Sequence, residues 1–236
     1  MTIISPFEIE DHIWELATGK RESGLGIIDR GDCLVLEDGD DEIEIVQSPS
    51  LLHEKSTGAV VWGATPKFAE WVQHHSANPL HDLIFNNPVV ELGSGTGALA
   101  RLLAPKTGQP WLATDQKALI KLAKKNTASI TNVDVAEFDW EEHEFAHTFD
   151  SQPVIVAVDT IYNFFLIKPL IQGIQSVQQC VGPCPTIIVV QLRDEQVLET
   201  ALTKFSKHYK IEYFDALPGV GIYLLSVLDP PIIGPA

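Results

Sequence analysis

The stretch Val89-Val90-Glu91-Leu92-Gly93-Ser94-Gly95-Thr96-Gly97 decides the fold of this 236-residue chain. Its first four residues have the apolar character of a buried strand, and the five that follow form a glycine-rich turn. Glycine lets the backbone turn tightly and approach a ligand closely. The stretch therefore predicts a strand that runs into a loop built to hold a nucleotide-like cofactor.

Short apolar runs continue after this loop and alternate with segments of helical periodicity. Together with the quoted stretch they predict five strands, at residues 88–92, 110–114, 133–138, 153–158 and 186–192. This alternation is typical of βα units around a mainly parallel sheet. Two more strands, at 211–214 and 222–228, flank a turn too short for a crossover helix, so they form an antiparallel hairpin. The predicted fold is α/β and Rossmann-like, with a seven-stranded, mainly parallel sheet.

The N-terminal part of the chain has a different character. Residues 1–57 are rich in Asp, Glu and Gly, and the alternating stretches 33–36 and 43–46 flank an Asp-Gly-Asp-Asp turn, which predicts a β-hairpin extension. Thr65 and Pro66 then suit the N-cap and first position of a helix that runs to about His75. We therefore expect an extension over residues 1–57 and a cofactor-binding domain over residues 58–236.

Composition and charge restrict the classes of partner. The 32 acidic residues against 16 basic ones give a formal charge of −16, which repels nucleic acid and anionic lipid and attracts a basic protein. The apolar runs are too short to cross a bilayer, and the first 15 residues are acidic where a signal peptide is basic. Three cysteines without a recognisable spacing indicate reduced thiols in the core. We expect a soluble, cytoplasmic monomer.

The glycine loop alone is compatible with two cofactor classes. Gly93, Gly95 and Ala98 also satisfy the dinucleotide pattern G-x-G-x-x-G/A, and Asp115 follows 22 residues after Gly93, where an acid binds the ribose hydroxyls in either class. A nicotinamide-dependent oxidoreductase is therefore one alternative. Asp115 has a second interpretation as the N-cap of the helix that carries Lys117.

Two further strand ends carry polar and aromatic residues. The third ends at Asp139 and Trp140, which are suited to flank an adenine ring and its amino group, or else to be a capping Asp and a core Trp. The fourth ends at Val158 and is followed by Asp159 and Tyr162. Because the fourth strand is expected beside the first, this acid and phenol lie next to the glycine loop, where the chemistry takes place.

Residues 143–147 match H-E-x-x-H, which on a helix places two zinc ligands and a general base on one face. Here the motif falls between two strands, and no third ligand follows at a recognisable spacing. Surface histidines are the simpler interpretation, and no metal is expected.

These motifs resemble, in order and spacing, the seven-β-strand protein-lysine methyltransferases with a D-x-x-Y motif. The segments 62–66 and 113–117 are most similar to the fungal ribosomal-protein lysine methyltransferases. The resemblance implies S-adenosylmethionine as cofactor and a ribosomal or other basic protein as substrate. It implies cofactor contacts by Trp62, Gly93, Ser94, Gly95, Asp115, Trp140 and Val158. We add Glu91, which precedes the loop, and Asp139 to the expected cofactor site.

The resemblance also implies that Asp159 and Tyr162 face the target lysine. Methyl transfer moves positive charge from sulfur to nitrogen, so a carboxylate beside that nitrogen stabilises the transition state. Asp159 alone, however, favours the ammonium form of the lysine, which must lose a proton before it reacts. A non-catalytic module that binds S-adenosylmethionine remains a further alternative.

Overall fold

The computed structural model of the chain describes residues 1–19, 26–52, 57–142 and 144–228. It contains ten strands: β1 (Thr2–Ile4), β2 (Cys33–Asp38), β3 (Asp41–Val46), β4 (Val89–Leu92), β5 (Trp111–Asp115), β6 (Val133–Glu137), β7 (Val154–Val158), β8 (Thr186–Gln191), β9 (Tyr209–Tyr213) and β10 (Val220–Val227). The seven α-helices are α1 (Ile9–Thr18), α2 (Ala64–His74), α3 (Pro79–Asn86), α4 (Ala98–Thr107), α5 (Lys117–Thr127), α6 (Phe164–Val181) and α7 (Glu195–Phe205).

The central sheet has the strand order β1-β9-β10-β8-β7-β4-β5-β6. Strands β6, β5, β4, β7 and β8 are parallel, and β10 and β9 close the sheet as an antiparallel hairpin. The predicted α/β fold with seven such strands is confirmed, and β7 lies beside β4 as expected. An unpredicted eighth strand, β1, pairs antiparallel with β9. The order reverses at β4, so the crevice between β4 and β7 is where ligands of this fold class bind.

Side chains alternate between the two faces of the sheet and build two apolar cores. On β7, Ile155 and Ala157 join the core beneath α1, α6 and α7, whereas Val154 and Val156 join the core beneath α2, α3 and α4. Fully buried strands of this kind need helices on both faces. The result is a three-layer structure whose rigid sheet presents its loops at the carboxyl edge.

The N-terminal segment contributes more than the predicted hairpin. Strands β2 and β3 do form that hairpin, and Asn126 of α5 fixes it by hydrogen bonds with both the amide and the carbonyl of Val46. The same Asn126 donates to the carbonyl of Thr96 in the glycine loop. The hairpin is therefore tied to the helix and loop that border the crevice.

The prediction that Thr65 caps the helix before the sheet is wrong. Helix α2 begins at Ala64, its N-cap is Gly63, and no side chain caps it. The amide of Thr65 instead bonds the carbonyl of Trp62, which draws the helix start back by two residues. Trp62 is thereby held in the turn immediately before the helix.

No helix in the described part of the chain is long and apolar enough to cross a membrane. All three cysteines are free thiols, as expected. Only Cys184 is buried, so the prediction of core thiols is wrong for Cys33 and Cys180, which are exposed.

Candidate active site

A deep cleft opens at the carboxyl edge of β4, β5, β6 and β7. Its empty volume, including the part open to solvent, is about 970 Å³. All eleven site residues predicted from the sequence line it: Trp62, Glu91, Gly93, Ser94, Gly95, Asp115, Asp139, Trp140, Val158, Asp159 and Tyr162. They come together because parallel strands deliver their following residues to one edge of the sheet.

The glycine loop forms the floor of the cleft. Gly93, Gly95 and Gly97 have φ angles of +72°, +56° and +78°, a conformation that L side chains rarely adopt. A Cβ on Gly95 would lie 2.6 Å from the carbonyl oxygen of Gly58, so the loop and the segment at residue 58 pack backbone to backbone. Glycine is required at this position for both reasons.

Two acids lie beside this loop, and in the described ranges neither of them forms an ion pair with Lys or Arg. Glu91 accepts a hydrogen bond of 2.8 Å from Trp111 Nε1, and burial raises the pKa of its carboxyl to about 8. Asp115 accepts bonds of 2.7 Å from the amides of Gly95 and Gln116, yet desolvation raises its pKa to about 6. The N-cap of α5 is Gln116, so the alternative role of Asp115 as that cap is wrong.

The edge beyond β6 supplies an aromatic wall. Trp140 is partly buried and packs closely between two glycines, Gly93 of the loop and Gly173 of α6. Its Nε1 is buried and has no hydrogen-bond partner in the described structure, and the same holds for Ser94 Oγ and Thr160 Oγ1. Buried polar atoms are nearly always paired in a complete site. All three residues line the cleft, so these atoms are available to a polar ligand there.

Asp159 follows β7 in a strained conformation. Its φ of +58° makes it the one non-glycine residue with a positive φ in the described parts of the chain. Such strain costs on the order of 1–3 kcal/mol and is concentrated at functional sites. The amide of Asp159 donates to the carbonyl of Val189 at 2.7 Å, which locks the turn onto β8. The turn therefore places this carboxylate beside β8, at the edge of the cleft.

Arg193, which the sequence did not predict as a site residue, pairs with Asp159. Its Nη1 donates to Asp159 Oδ1 at 2.7 Å and its Nη2 to Oδ2 at 2.5 Å, a two-pronged bond. The Asp159 side chain is only 4% exposed and the Arg193 side chain 27%. The guanidinium also lies 4.5 Å from the ring centroid of Trp62. The rule that drew attention to the other strand ends, applied to β8, points to this residue.

Tyr162 completes this side of the cleft. Burial raises the pKa of its phenol, while a hydrogen bond with the side chain of Thr57 lowers it. Thr57 also accepts a 3.0 Å bond from Trp62 Nε1 through its carbonyl. The segment at residues 57–62 therefore connects the phenol to the aromatic ring beneath Arg193.

The H-E-x-x-H match has no metal-site geometry to support it. His143 lies outside the described residues, and His147 follows β6 in a segment without helix or strand. Across the described ranges, no three His, Cys, Asp or Glu side chains are placed to hold a metal ion.

Comparison with known proteins identifies the family. Residues 40–208, which include β3 and every residue named in the cleft, match the model of the lysine methyltransferase family. The chain belongs to this lysine methyltransferase family. Its cofactor is S-adenosylmethionine, so the nicotinamide alternative is not supported.

Individual relatives carry different names. The chain is 26% identical to ribosomal lysine N-methyltransferase 5 of Vanderwaltozyma polyspora, over 86% of this chain and 91% of that protein. It is also 26% identical to a Schizosaccharomyces pombe protein named diaminohydroxyphosphoribosylamino-pyrimidine deaminase, over 90% of this chain and 54% of that protein. The chain therefore spans about half the length of the latter relative.

Among solved structures, the pyocyanin biosynthetic protein PhzM has a TM-score of 0.51 at 11% identity, over 69% of this chain and 56% of that one. At this identity the similarity concerns the fold. It agrees with the Rossmann-like architecture of this methyltransferase-family chain.

The residues in the cleft fit S-adenosylmethionine. Asp115 would offer a carboxylate to the ribose hydroxyls, and Ser94 Oγ and Trp140 Nε1, which have no partner in the described structure, would be available to polar groups of the cofactor. The wall beneath these groups is apolar, formed by Leu119, Phe138 and Val158. A ligand with a flat base and a polar tail suits such a surface.

Proposed function

We propose that the protein is an S-adenosylmethionine-dependent protein-lysine N-methyltransferase that acts in the cytoplasm, as a monomer, on a ribosomal or other basic protein. The observation that carries the proposal is the convergence of Asp159 and Tyr162 at the edge of the cofactor cleft. The name of the Vanderwaltozyma polyspora relative supports a ribosomal substrate. The formal charge of −16 suits such a basic partner.

The cofactor supplies an electrophilic methyl group, and the protein aligns a nucleophilic amine with it. We assign Trp62, Glu91, Gly93, Ser94, Gly95, Asp115, Asp139, Trp140 and Val158 to cofactor binding. Asp159 accepts a hydrogen bond from the lysine amine and stabilises the positive charge that develops on nitrogen. The Tyr162 phenol positions the amine by a second hydrogen bond. Holding both reactants in the cleft supplies much of the rate.

A methyl-transfer assay tests the assignment. The purified protein is incubated with radiolabelled S-adenosylmethionine and with ribosomal proteins from a fungal strain that lacks the corresponding enzyme. We expect Asp159→Ala to lower turnover by about 10²–10³-fold and Tyr162→Phe by about tenfold, with cofactor affinity retained. The control is Asp150→Ala, which removes an exposed carboxylate that precedes β7. Unchanged turnover in both site variants would sink the assignment, and cofactor binding without any transfer would favour a non-catalytic module.

A further inference from the structure

A fixed cation already compensates the charge of the acid that is proposed to meet the substrate. Both oxygens of Asp159 accept from Arg193, and Oδ1 also lies 3.3 Å from the amide of Gln191. The guanidinium is itself held on two other sides, by Gln191 Oε1 at 2.8 Å and by the face of Trp62. The guanidinium of Arg193 is therefore fixed by several contacts, unlike that of a mobile surface ion pair.

The pairing of Arg193 with Asp159 affects the protonation state of the target lysine. A lysine side chain in water has a pKa of about 10.4, and only its neutral form attacks a methyl group. An uncompensated carboxylate within about 4–6 Å favours the ammonium form by one to three pH units. A carboxylate already paired with a guanidinium exerts much less of this effect, while its remaining lone pairs still accept a hydrogen bond.

The other titratable groups around the cleft do not replace this compensation. Those contributed by the neighbouring elements are a phenol and five acids: Tyr162 after β7, Glu91 on β4, Asp115 on β5, Asp139 and Glu141 after β6, and Asp194 before α7. Each of them is neutral or negative. Arg193, at the end of β8, is the cation that faces Asp159 in the described structure.

We propose that Arg193 is a positioning residue that compensates the charge of Asp159, so that the target lysine is aligned by this acid without being held as an unreactive ammonium ion. This inference rests on the proposed function. Arg193 acts through Asp159. Its stacking on Trp62 keeps the guanidinium in place while the target lysine is bound.

The test compares Arg193→Gln with the wild type over a pH range. Initial rates of methyl transfer to fungal ribosomal proteins are measured between pH 6.5 and 9.5. We expect the rising limb of kcat for Arg193→Gln to shift upward by about one pH unit, which lowers the rate roughly tenfold at pH 7.5 and restores much of it at pH 9.5. Arg193→Lys, which keeps the charge and loses the fork, falls between the two. Arg101→Gln, whose side chain bonds Ser129 away from the cleft, leaves the limb unchanged.

The alternative is that Arg193 occupies the place of the lysine and must leave before the substrate enters. In that case Arg193→Gln lowers KM and raises the rate at every pH, a result that would overturn the proposal. An unshifted limb would overturn it as well. Absence of transfer by the wild type would instead contradict the proposed function.

A second measurement on the cofactor-free protein needs no substrate. Arg193→Gln leaves Asp159 as a buried, unpaired charge, so it lowers Tm, and adding Asp159→Asn to the same chain recovers part of the loss. Additive effects of the two substitutions would show that the ion pair is not energetically coupled, and the proposal would fail.

Discussion

The acidic side chains on the two sides of the cleft are stabilised in different ways. On the β4–β6 side, Glu91 and Asp115 are held by neutral donors and their pKa values are raised by burial. On the β7–β8 side, the Asp159 side chain is also buried, but it is paired with Arg193 in a two-pronged bond. The acids on the β4–β6 side can accept further hydrogen bonds from a ligand, whereas the charge on the β7–β8 side is balanced by Arg193.

This difference follows from what each side is proposed to do. A cofactor with hydroxyl and amino groups brings its own donors, so acids on that side are satisfied when it binds. An amine nucleophile must arrive and leave in changing states of charge, so the acid that aligns it needs a permanent partner. The acids proposed to bind the cofactor are uncompensated and the acid proposed to align the amine is compensated. Substitutions on either side can test this difference.

The largest effect is expected on the pH dependence of stability, because the pKa of Glu91 is raised in the folded state. The folded state keeps a proton on Glu91 up to about pH 8, whereas the unfolded chain releases it near 4.5, so stability falls as pH rises through this window. Between pH 6 and 8 this amounts to on the order of 3 kcal/mol, at about 1.4 kcal/mol per pH unit. Asp115 titrates in the same direction, but its contribution is complete by about pH 6. Glu91→Gln removes the decline and preserves an acceptor for Trp111.

Chemical unfolding of the cofactor-free protein at pH 6 and at pH 9 measures this effect. Asp134→Asn is the control, since Asp134 is an exposed acid on β6. If Glu91→Gln and the wild type lose stability in parallel, Glu91 is not protonated in the fold.

Asp115→Ala should have the next largest effect, on cofactor binding. In the proposed site, the amides of Gly95 and Gln116 hold the carboxylate so that it accepts from two ribose hydroxyls. Bonds to a charged acceptor are worth about 1.5–3 kcal/mol each, so the loss of two should lower the affinity for S-adenosylmethionine by at least about a hundredfold. Titration calorimetry measures it, again with Asp134→Asn for comparison. Retained affinity would remove Asp115 from the cofactor site.

Gly95→Ala perturbs the same side through the backbone. The substitution forces a Cβ into the left-handed region and against the carbonyl of Gly58, so the loop must shift away from Asp115. We expect affinity for S-adenosylmethionine to fall about thirtyfold, equivalent to about 2 kcal/mol. Gly108→Ala is the matched control, because Gly108 has a φ of +63° and open space around it. Equal affinities for the two variants would contradict the role of the close approach.

Hydrophobic periodicity predicted the parallel strands, and the polar and aromatic residues that follow these strands predicted the lining of the cleft. Four of the five parallel strands carry mainly apolar runs, and the edge strand β6 alternates, so their positions followed from the sequence to within about two residues. The eleven cleft residues lie together because the fold brings strand ends to one edge. Their individual roles stay predictions, since they depend on a ligand and a substrate.

What the sequence did not predict depends on tertiary contacts. Arg193 follows the end of β8, but its pairing with Asp159 is not predictable from that position, because it depends on the turn after β7 that brings Asp159 to β8. β1 is a three-residue edge strand, too short for a periodic signal, and it forms because β9 offers an unpaired edge. The positive φ of Asp159 likewise has no local signature, because a non-glycine residue adopts it only when its surroundings impose it.

The smallest effect is expected where the β7–β8 side meets the solvent. Phe164 and Phe165 begin α6, with Asn163 between them and Tyr162, and they are 46% and 88% exposed. An exposed aromatic pair beside the site offers contact area to the chain that carries the target lysine. Phe165→Ala should raise KM for the basic acceptor protein about threefold, less than 1 kcal/mol, and leave kcat and cofactor affinity unchanged. Phe7→Ala is the matched control, since Phe7 is 95% exposed and precedes α1. If both variants change KM equally, general surface hydrophobicity explains the effect; if only Phe165→Ala does, the acceptor side of the cleft extends onto α6.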